Sequence, residues 1–319
     1  MTLDRPAAAE PERNLILIHT REWQDPADFA TIKRYIEDQA PDIQVFIASN
    51  DIPSSATRKI AASRPTLIFS PLRLLHFKPA RGKVYAGARM SKLAEMRRLA
   101  AGGMPIPEFE VIEPDTRLSE KIYGPLVVTK PSYDLASHGQ GVVLFRTPHV
   151  EYRPPESFPP NHPGRQAPMI AQKFIDCGYP MTCRVLTFFG EPILTFYRQS
   201  TKPLSLPADK DRFQQSEYMP SLPDRITYST REPDILQLAA DAYRAMPEVA
   251  LQACDIIRER GTGRLYLLEI NPGGGTWMFS NSSAEGYRKA LGVTDLTLEF
   301  DAFRTVARVL VERTRAEAE

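Results

Sequence analysis

The stretch that most narrows what this chain can fold into is "RLYLLEINPGGGTW", Arg264 to Trp277. Leu265 to Leu268 and Ile270 are apolar or aromatic, as in a buried strand, yet Glu269 interrupts the run and Asn271 follows it. Residues two apart on a strand project from one face, so the carboxylate and the amide point the same way. Two oxygen donors on one side suit a hard divalent cation such as magnesium; a polar-capped strand end and a turn is the plainer alternative. The run just upstream, "ALQACDII", places Asp255 on a second strand, joined to the first through the turn Gly261-Thr262-Gly263. Neighbouring strands lie about 5 Å apart, so Asp255, Glu269 and Asn271 can meet around one or two ions.

The rest of the chain alternates strands and helices. "NLILIH" (Asn14 to His19), "IQVFIAS" (Ile43 to Ser49) and "TLIFS" (Thr66 to Ser70) read as strands. Between the first two lies "PADFATIKRYIEDQ", with Phe29, Ile32, Tyr35 and Ile36 at helical spacing. This order predicts a small α/β domain over 14–85 with a mainly parallel sheet. No GxGxxG follows its first strand, so a dinucleotide site there is unsupported. "MSKLAEMRRLAAGG" is a helix capped by Ser91, with Leu93, Met96 and Leu99 as its apolar stripe and Gly102-Gly103 at its end. Six prolines between Glu151 and Pro168 exclude regular structure and mark a boundary. "CRVLTFFG" and "EPILTFYRQS" form a hairpin around Gly190-Glu191. Lys202 to Arg225 reads as a long loop, "PDILQLAADAYRAM" as a helix, and Leu296 to Arg313 as a closing helix.

Composition rules out several classes. Forty Lys/Arg against 39 Asp/Glu leave a net charge of +1, too little for a general attraction to nucleic acid or an anionic membrane. Cys177, Cys183 and Cys254 form no CxxC pair or Cys/His cluster, so neither a zinc site nor a disulfide scaffold is expected. No apolar run reaches membrane-spanning length, and residues 1–13 read as a flexible tail without the apolar core of a signal peptide. These features point to a reducing cytoplasm.

Three further features carry chemistry. Lys130 ends the strand "GPLVVTKPS" just before a loop holding Gly139 and Gly141; it can reach phosphate oxygens there, or simply end a strand. "AQKFI" (Ala171 to Ile175) offers strand-edge backbone to a nucleobase, or is a plain core strand. Arg184 and Arg198 sit in apolar runs on the two hairpin arms. A guanidinium there needs an anion, either a phosphate or a structural Asp or Glu.

Taken in order, these segments resemble the ATP-grasp superfamily, in particular ribosomal-protein glutamate ligases and glutathione synthetase. The resemblance spans about Lys92 to Gly275. It implies two α+β lobes clasping ATP, over 86–165 and 166–319, preceded by a Rossmann-like α/β domain over 14–85. It implies Lys92 and Lys130 on the α- and β-phosphates, with Ser137, His138, Gly139 and Gly141 in the glycine-rich flap. Gln172, Lys173, Phe174 and Ile175 would form the interlobe hinge against adenine. Asp255, Glu269 and Asn271 would hold magnesium, or manganese in its place, and Arg184 and Arg198 would face the γ-phosphate and an acyl phosphate. Gly274, Gly275, Thr276 and Trp277, with Ser280 and Asn281 beyond, would border the acceptor substrate or form an ordinary loop.

The implied activity is an ATP-dependent ligase joining a carboxylate to an amine, sometimes a thiol, on small-molecule or peptide substrates, and a homodimer is common among such enzymes. The alternatives are a phosphotransferase on the same fold and a non-catalytic nucleotide-binding protein. The chain departs from the family pattern in three places. The flap is about two residues longer, with "DLAS" where a glycine is common. Thr182 stands where an acid often precedes the first arginine. A long polar loop replaces an asparagine-rich stretch after Arg198.

Overall fold

The computed structural model describes residues 11–52, 62–132, 141–204 and 225–319, together with residues 57 and 59. Three sheets organise it. The first contains β1 (Arg13–His19), β2 (Ile43–Ser49), β3 (Thr66–Ser70) and β4 (Lys83–Ala86), all parallel in the order β2-β1-β3-β4. Its central strands are near-continuous apolar runs because both faces are covered. Helix α1 (Pro26–Gln39) covers one face with Phe29, Ile32 and Ile36; Asp25 caps it and Pro26 opens it. Phe77, from the segment between β3 and β4, packs on Ile16, Ile18 and Ile68 of the other face.

The second sheet is antiparallel, in the order β5-β8-β6-β7: β5 (Phe109–Val111), β6 (Leu126–Pro131), β7 (Val143–Arg146) and β8 (Met169–Lys173). Helix α2 (Lys92–Ala101) precedes it, and the short α3 (Glu120–Tyr123) leads into β6. Ser91 accepts from the Ala94 N–H, as the cap assignment requires. The buried stripe of α2 is Glu95, Met96 and Leu99; Leu93 is only half-buried, so the helix is turned further than its apolar residues alone suggest.

The third sheet runs β11-β10-β9-β12-β13: β9 (Met181–Phe188), β10 (Glu191–Ser200), β11 (Arg225–Ser229), β12 (Leu251–Arg258) and β13 (Leu265–Asn271). The β9–β10 turn puts Phe189 at φ 50° and Gly190 at φ 86°, the paired positive angles of a two-residue hairpin whose twist matches its strands. Helix α4 (Pro233–Ala242) packs on this sheet. The sequence reading contained neither β11 nor α5 (Ala284–Leu291). The closing helix is two, α6 (Leu296–Glu299) and α7 (Ala302–Glu317), broken where Asp301 takes the left-handed conformation that a short polar side chain tolerates.

One apolar core joins the first and third sheets. Leu15, Leu17, Leu67 and Phe69 meet Phe188, Phe196, Trp277, Phe303, Val306 and Leu310. The parallel sheet is therefore anchored on the third sheet through α7. No helix among the described residues is long and apolar enough to cross a membrane.

Candidate active site

One face of the third sheet changes character along its strands. At one end Phe188 and Leu251 are register partners inside the shared core. At the other end Arg184, Asp255 and Glu269 form a row across β9, β12 and β13. Phe196 opposes Arg184, so Arg198, two residues on, shares that face. Asn271 lies two residues beyond Glu269 on the same face and donates to the Ala253 carbonyl at 3.4 Å.

A β-bulge produces this row. Ile256 pairs with Leu267, but Asp255 pairs with Glu269, leaving Leu268 extra. Uninterrupted alternation would set Leu268 opposite Asp255 and turn Glu269 into the apolar face that holds Cys254 and Ile256. The bulge rotates Glu269 to the polar side.

The charges on this face are not equally engaged. Arg184 donates to Asp255 through two bonds, Nε to Oδ1 at 2.8 Å and Nη2 to Oδ2 at 2.6 Å. Lys92, at the start of α2, donates to Glu269. That ammonium holds the Glu269 carboxyl well below the usual range, and Glu269 in turn raises Lys92. Arg198 lies 4.0 Å from Asp255 Oδ1, and its buried Nε has no partner. Lys130, at the end of β6, is buried with no hydrogen bond or ion pair among the described residues. Burial first, then the Lys92 charge, lower its ammonium to about 8.

The sequence reading missed Glu95. It is 4% exposed, three residues after Lys92 on α2, and its Oε1 accepts the Ile270 N–H at 2.6 Å. Strand β13 is outermost, so that N–H would otherwise be orphaned between Glu269 and Asn271. Burial, with the nearby Glu269 charge, pushes the Glu95 carboxyl up to about 8. An acid on the inward side of α2, one turn after Lys92, was the available signal.

Other expected residues fall differently. Ser137, His138 and Gly139 lie outside the described residues. Gly141 has φ 71°, and a side chain there would press on His162. Strand β8 is interior, and the Lys173 and Phe174 N–H groups already donate to Glu108 and Leu126 carbonyls. Gln172 shares the face of Val128, hence that of Lys130, and its buried Nε2 is unpartnered. Gly275 sits against Trp23, and Asn281 donates to its carbonyl. Thr276 is buried.

Trp277 lies in the core. It is fully buried, stacks on Phe29 and Phe303, and donates to Asp28 at 2.7 Å, a carboxylate that Ser280 also bonds. An indole beside glycines looks exposed in sequence, but the α1–α7 core captures it. A cavity of about 570 Å³ is lined by Thr129, Val143, Phe145 and Met169. Register puts these on the face of the second sheet away from Lys130, so the cavity is separate from the charged cleft.

Does the site fit a cation? Among the described residues no group of three or more His, Cys, Asp or Glu side chains gathers at one point. Two carboxylates on facing register positions and one amide on the same face are an all-oxygen set. Magnesium commonly takes one or two carboxylates and completes its shell from phosphate and water. The unpartnered Arg198 Nε and the unpaired Lys130 leave donors for those phosphates. The residues fit a nucleotide-bound hard cation.

Solved structures share this fold. A PsnB ATP-grasp ligase, solved with a minimal precursor, superposes over 92% of this chain and 99% of its own at a TM-score of 0.50 and 12% identity. The chain has the ATP-grasp fold. The macrocyclase MdnC of Microcystis aeruginosa, bound to precursor peptide MdnA, covers 93% and 99% of the two chains at TM-score 0.49 and 13% identity. D-alanine–D-alanine ligase from Bacillus anthracis covers 95% and 97% at 0.45 and 12%. No family model and no curated protein matches the sequence. In this fold the charged cleft lies where α2, β6 and the polar end of the third sheet converge.

Proposed function

We propose that this chain is an ATP-dependent ligase that joins a carboxylate to an amine through an acyl phosphate. The observation that carries the reading is the row Arg184–Asp255–Glu269, with Lys92, Lys130 and Arg198 around it. Bringing a carboxylate to ATP sets two anions against each other, and this cleft answers with four cations. Lys92 and Lys130 hold the α- and β-phosphates. Arg184 and Arg198 flank the transferring phosphoryl group. A divalent cation held by Asp255, Glu269 and Asn271 would neutralise charge on the β- and γ-phosphates.

A carboxylate oxygen attacks the γ-phosphorus and the bond to the β-bridging oxygen breaks, giving ADP and the acyl phosphate. The amine then attacks the acyl carbon. A C–N bond forms, the C–O bond to phosphate breaks, and the amine loses a proton. PsnB, the neighbour at a TM-score of 0.50, is described as an ATP-grasp ligase complexed with a minimal precursor, which supports a ligase over the other chemistries of such a cleft.

The test incubates the protein with Mg–ATP and pools of acids, peptides and amines, reads ADP release, and analyses products by mass spectrometry. With an 18O-labelled carboxylate, one label should appear in inorganic phosphate beside a new amide. A stable phosphorylated product would instead identify a phosphotransferase. No substrate-dependent ADP release over a broad set would sink the catalytic reading.

A further inference from the structure

The near-neutral net charge conceals a strong segregation. Between Ile52 and Ala94 there are nine Lys/Arg and no Asp or Glu. The rest of the chain holds 31 Lys/Arg and 39 Asp/Glu, so the segment carries +9 and the remainder −8. Lys92 belongs to the cleft, where it donates to Glu269.

The fold gathers several of them on one surface. The segment between β3 and β4 lies across the parallel sheet, held by Phe77 against Ile16, Ile18 and Ile68. With Phe77 turned inward, Arg73, His76, Lys78 and Arg81 are exposed, and Lys83 follows at the start of β4. No ion pair engages Arg73, Lys78 or Arg81 among the described residues. Exposed Leu75 and Val84 belong to the same stretch as these cations, and Asn50 fastens Arg73 and Leu75.

The sheet is open beside them. Strand β4 is an edge, and the Gly87 N–H donating to Ser70 fixes which of its backbone groups face β3. By alternation Val84 and Ala86 turn theirs outward, and none of the hydrogen bonds to other parts of the described structure uses them. The C-terminal end of this edge touches the cleft: Ala88 N–H donates to the Pro272 carbonyl at 2.6 Å, and Gly273 lies against Gly87.

We infer that this basic face is a docking surface for an acidic polypeptide in extended form. Unpaired cations match its carboxylates, outward backbone groups of β4 match its main chain, and Leu75 and Val84 match its apolar side chains. A phosphodiester polymer would use the cations and leave the backbone edge and the apolar residues unused. A chain lying along β4 runs towards Pro272 and Gly273, beside Asn271. Docking stands on these observations alone. That the docked chain also supplies the carboxylate to be activated rests on the ligase reading above.

The experiment uses the full chain without nucleotide, so it does not depend on turnover. A fluorescein-labelled twelve-residue peptide of alternating Glu and Val is titrated by anisotropy, with a Gln/Val counterpart as control. We expect saturable binding at 50 mM salt, at least about tenfold weaker at 300 mM, because exposed charges are screened within about a Debye length. The Gln/Val peptide should bind at least about tenfold more weakly. The triple variant R73E/K78E/R81E should lose binding while its nucleotide-induced thermal shift is retained, since none of the three is in the cleft.

Equal binding of the two peptides, full affinity in the folded triple variant, or no binding would overturn the inference. So would tighter binding of poly(U) RNA or of phosphatidylserine vesicles than of the Glu/Val peptide. If the peptide docks but never stimulates ADP release, the docked chain is not the source of the activated carboxylate and the docking surface stands; the ligase reading itself is decided by the substrate pools.

Discussion

Two pairs of cations occupy the same cleft under opposite conditions. Arg184 and Lys92 are each locked to a carboxylate, Asp255 and Glu269. Arg198 and Lys130 face the same space with no such lock, one 4.0 Å from the nearest carboxylate oxygen, the other buried alone. The first pair belongs to the architecture of the row: it neutralises acids that would otherwise repel across neighbouring strands. In the proposed reaction the second pair would meet the incoming anion without first giving up a carboxylate. A buried charge without a partner is unfavourable, and a site tolerates it where function uses it.

The largest effect should come from breaking the first pair. Asp255→Ala leaves Arg184 without its carboxylate at a position 15% exposed, and should cost about 3–5 kcal/mol in a urea titration. A loss below about 1 kcal/mol would mean that the bidentate pair contributes little. The second pair should behave in the opposite way. Arg198→Met should slow turnover roughly a hundredfold, about 3 kcal/mol of transition-state stabilisation, with the urea midpoint little changed. Equal losses in turnover and stability would erase the distinction between the two pairs.

Glu95 sharpens the comparison at smaller scale. Glu95→Leu orphans the Ile270 N–H and should destabilise the fold by about 1–3 kcal/mol, whereas Glu95→Gln keeps an acceptor and should stay close to the parent. Amide exchange at Ile270 should accelerate in the first variant only; identical exchange in both would remove this role.

The smallest effect is a pH dependence. Lys130 has a folded pKa near 8, below the ordinary lysine value of about 10.4, so the unfolded chain binds its proton more readily. The stability tied to the neutral amine is complete above the unfolded pKa and is lost as pH falls through the folded one. Lys130→Met removes the titration. Its stability relative to the parent should therefore be greatest at pH 7 and shrink by pH 10. A constant difference across that window would show that Lys130 is not desolvated.

Much of this was legible in the sequence, and the failures are instructive. β1, β2 and β3 read correctly because period-2 and continuous apolar runs are local signals. Glu269 and Asp255 were placed on neighbouring strands from their spacing, although the bulge at Leu268 that turns Glu269 to the correct face was invisible. Arg184 and Arg198 looked equivalent, each with phosphate or an acid as partner; only the register opposite Asp255 separates them. The burial of Trp277 was not legible because it depends on Phe29 and Phe303, far away in the chain.

The amino-acid order alone determined which residues bear charge, which segments are strands and helices, and in what order the lysines, arginines and acids come. The tertiary structure decided which cation meets which carboxylate, which are left free, and where the acid-free segment faces. The reason is one of range. Backbone preference and side-chain alternation act over a few residues, whereas ion pairing, bulge register and desolvation depend on partners far apart in the chain, 177 positions in the case of Lys92 and Glu269.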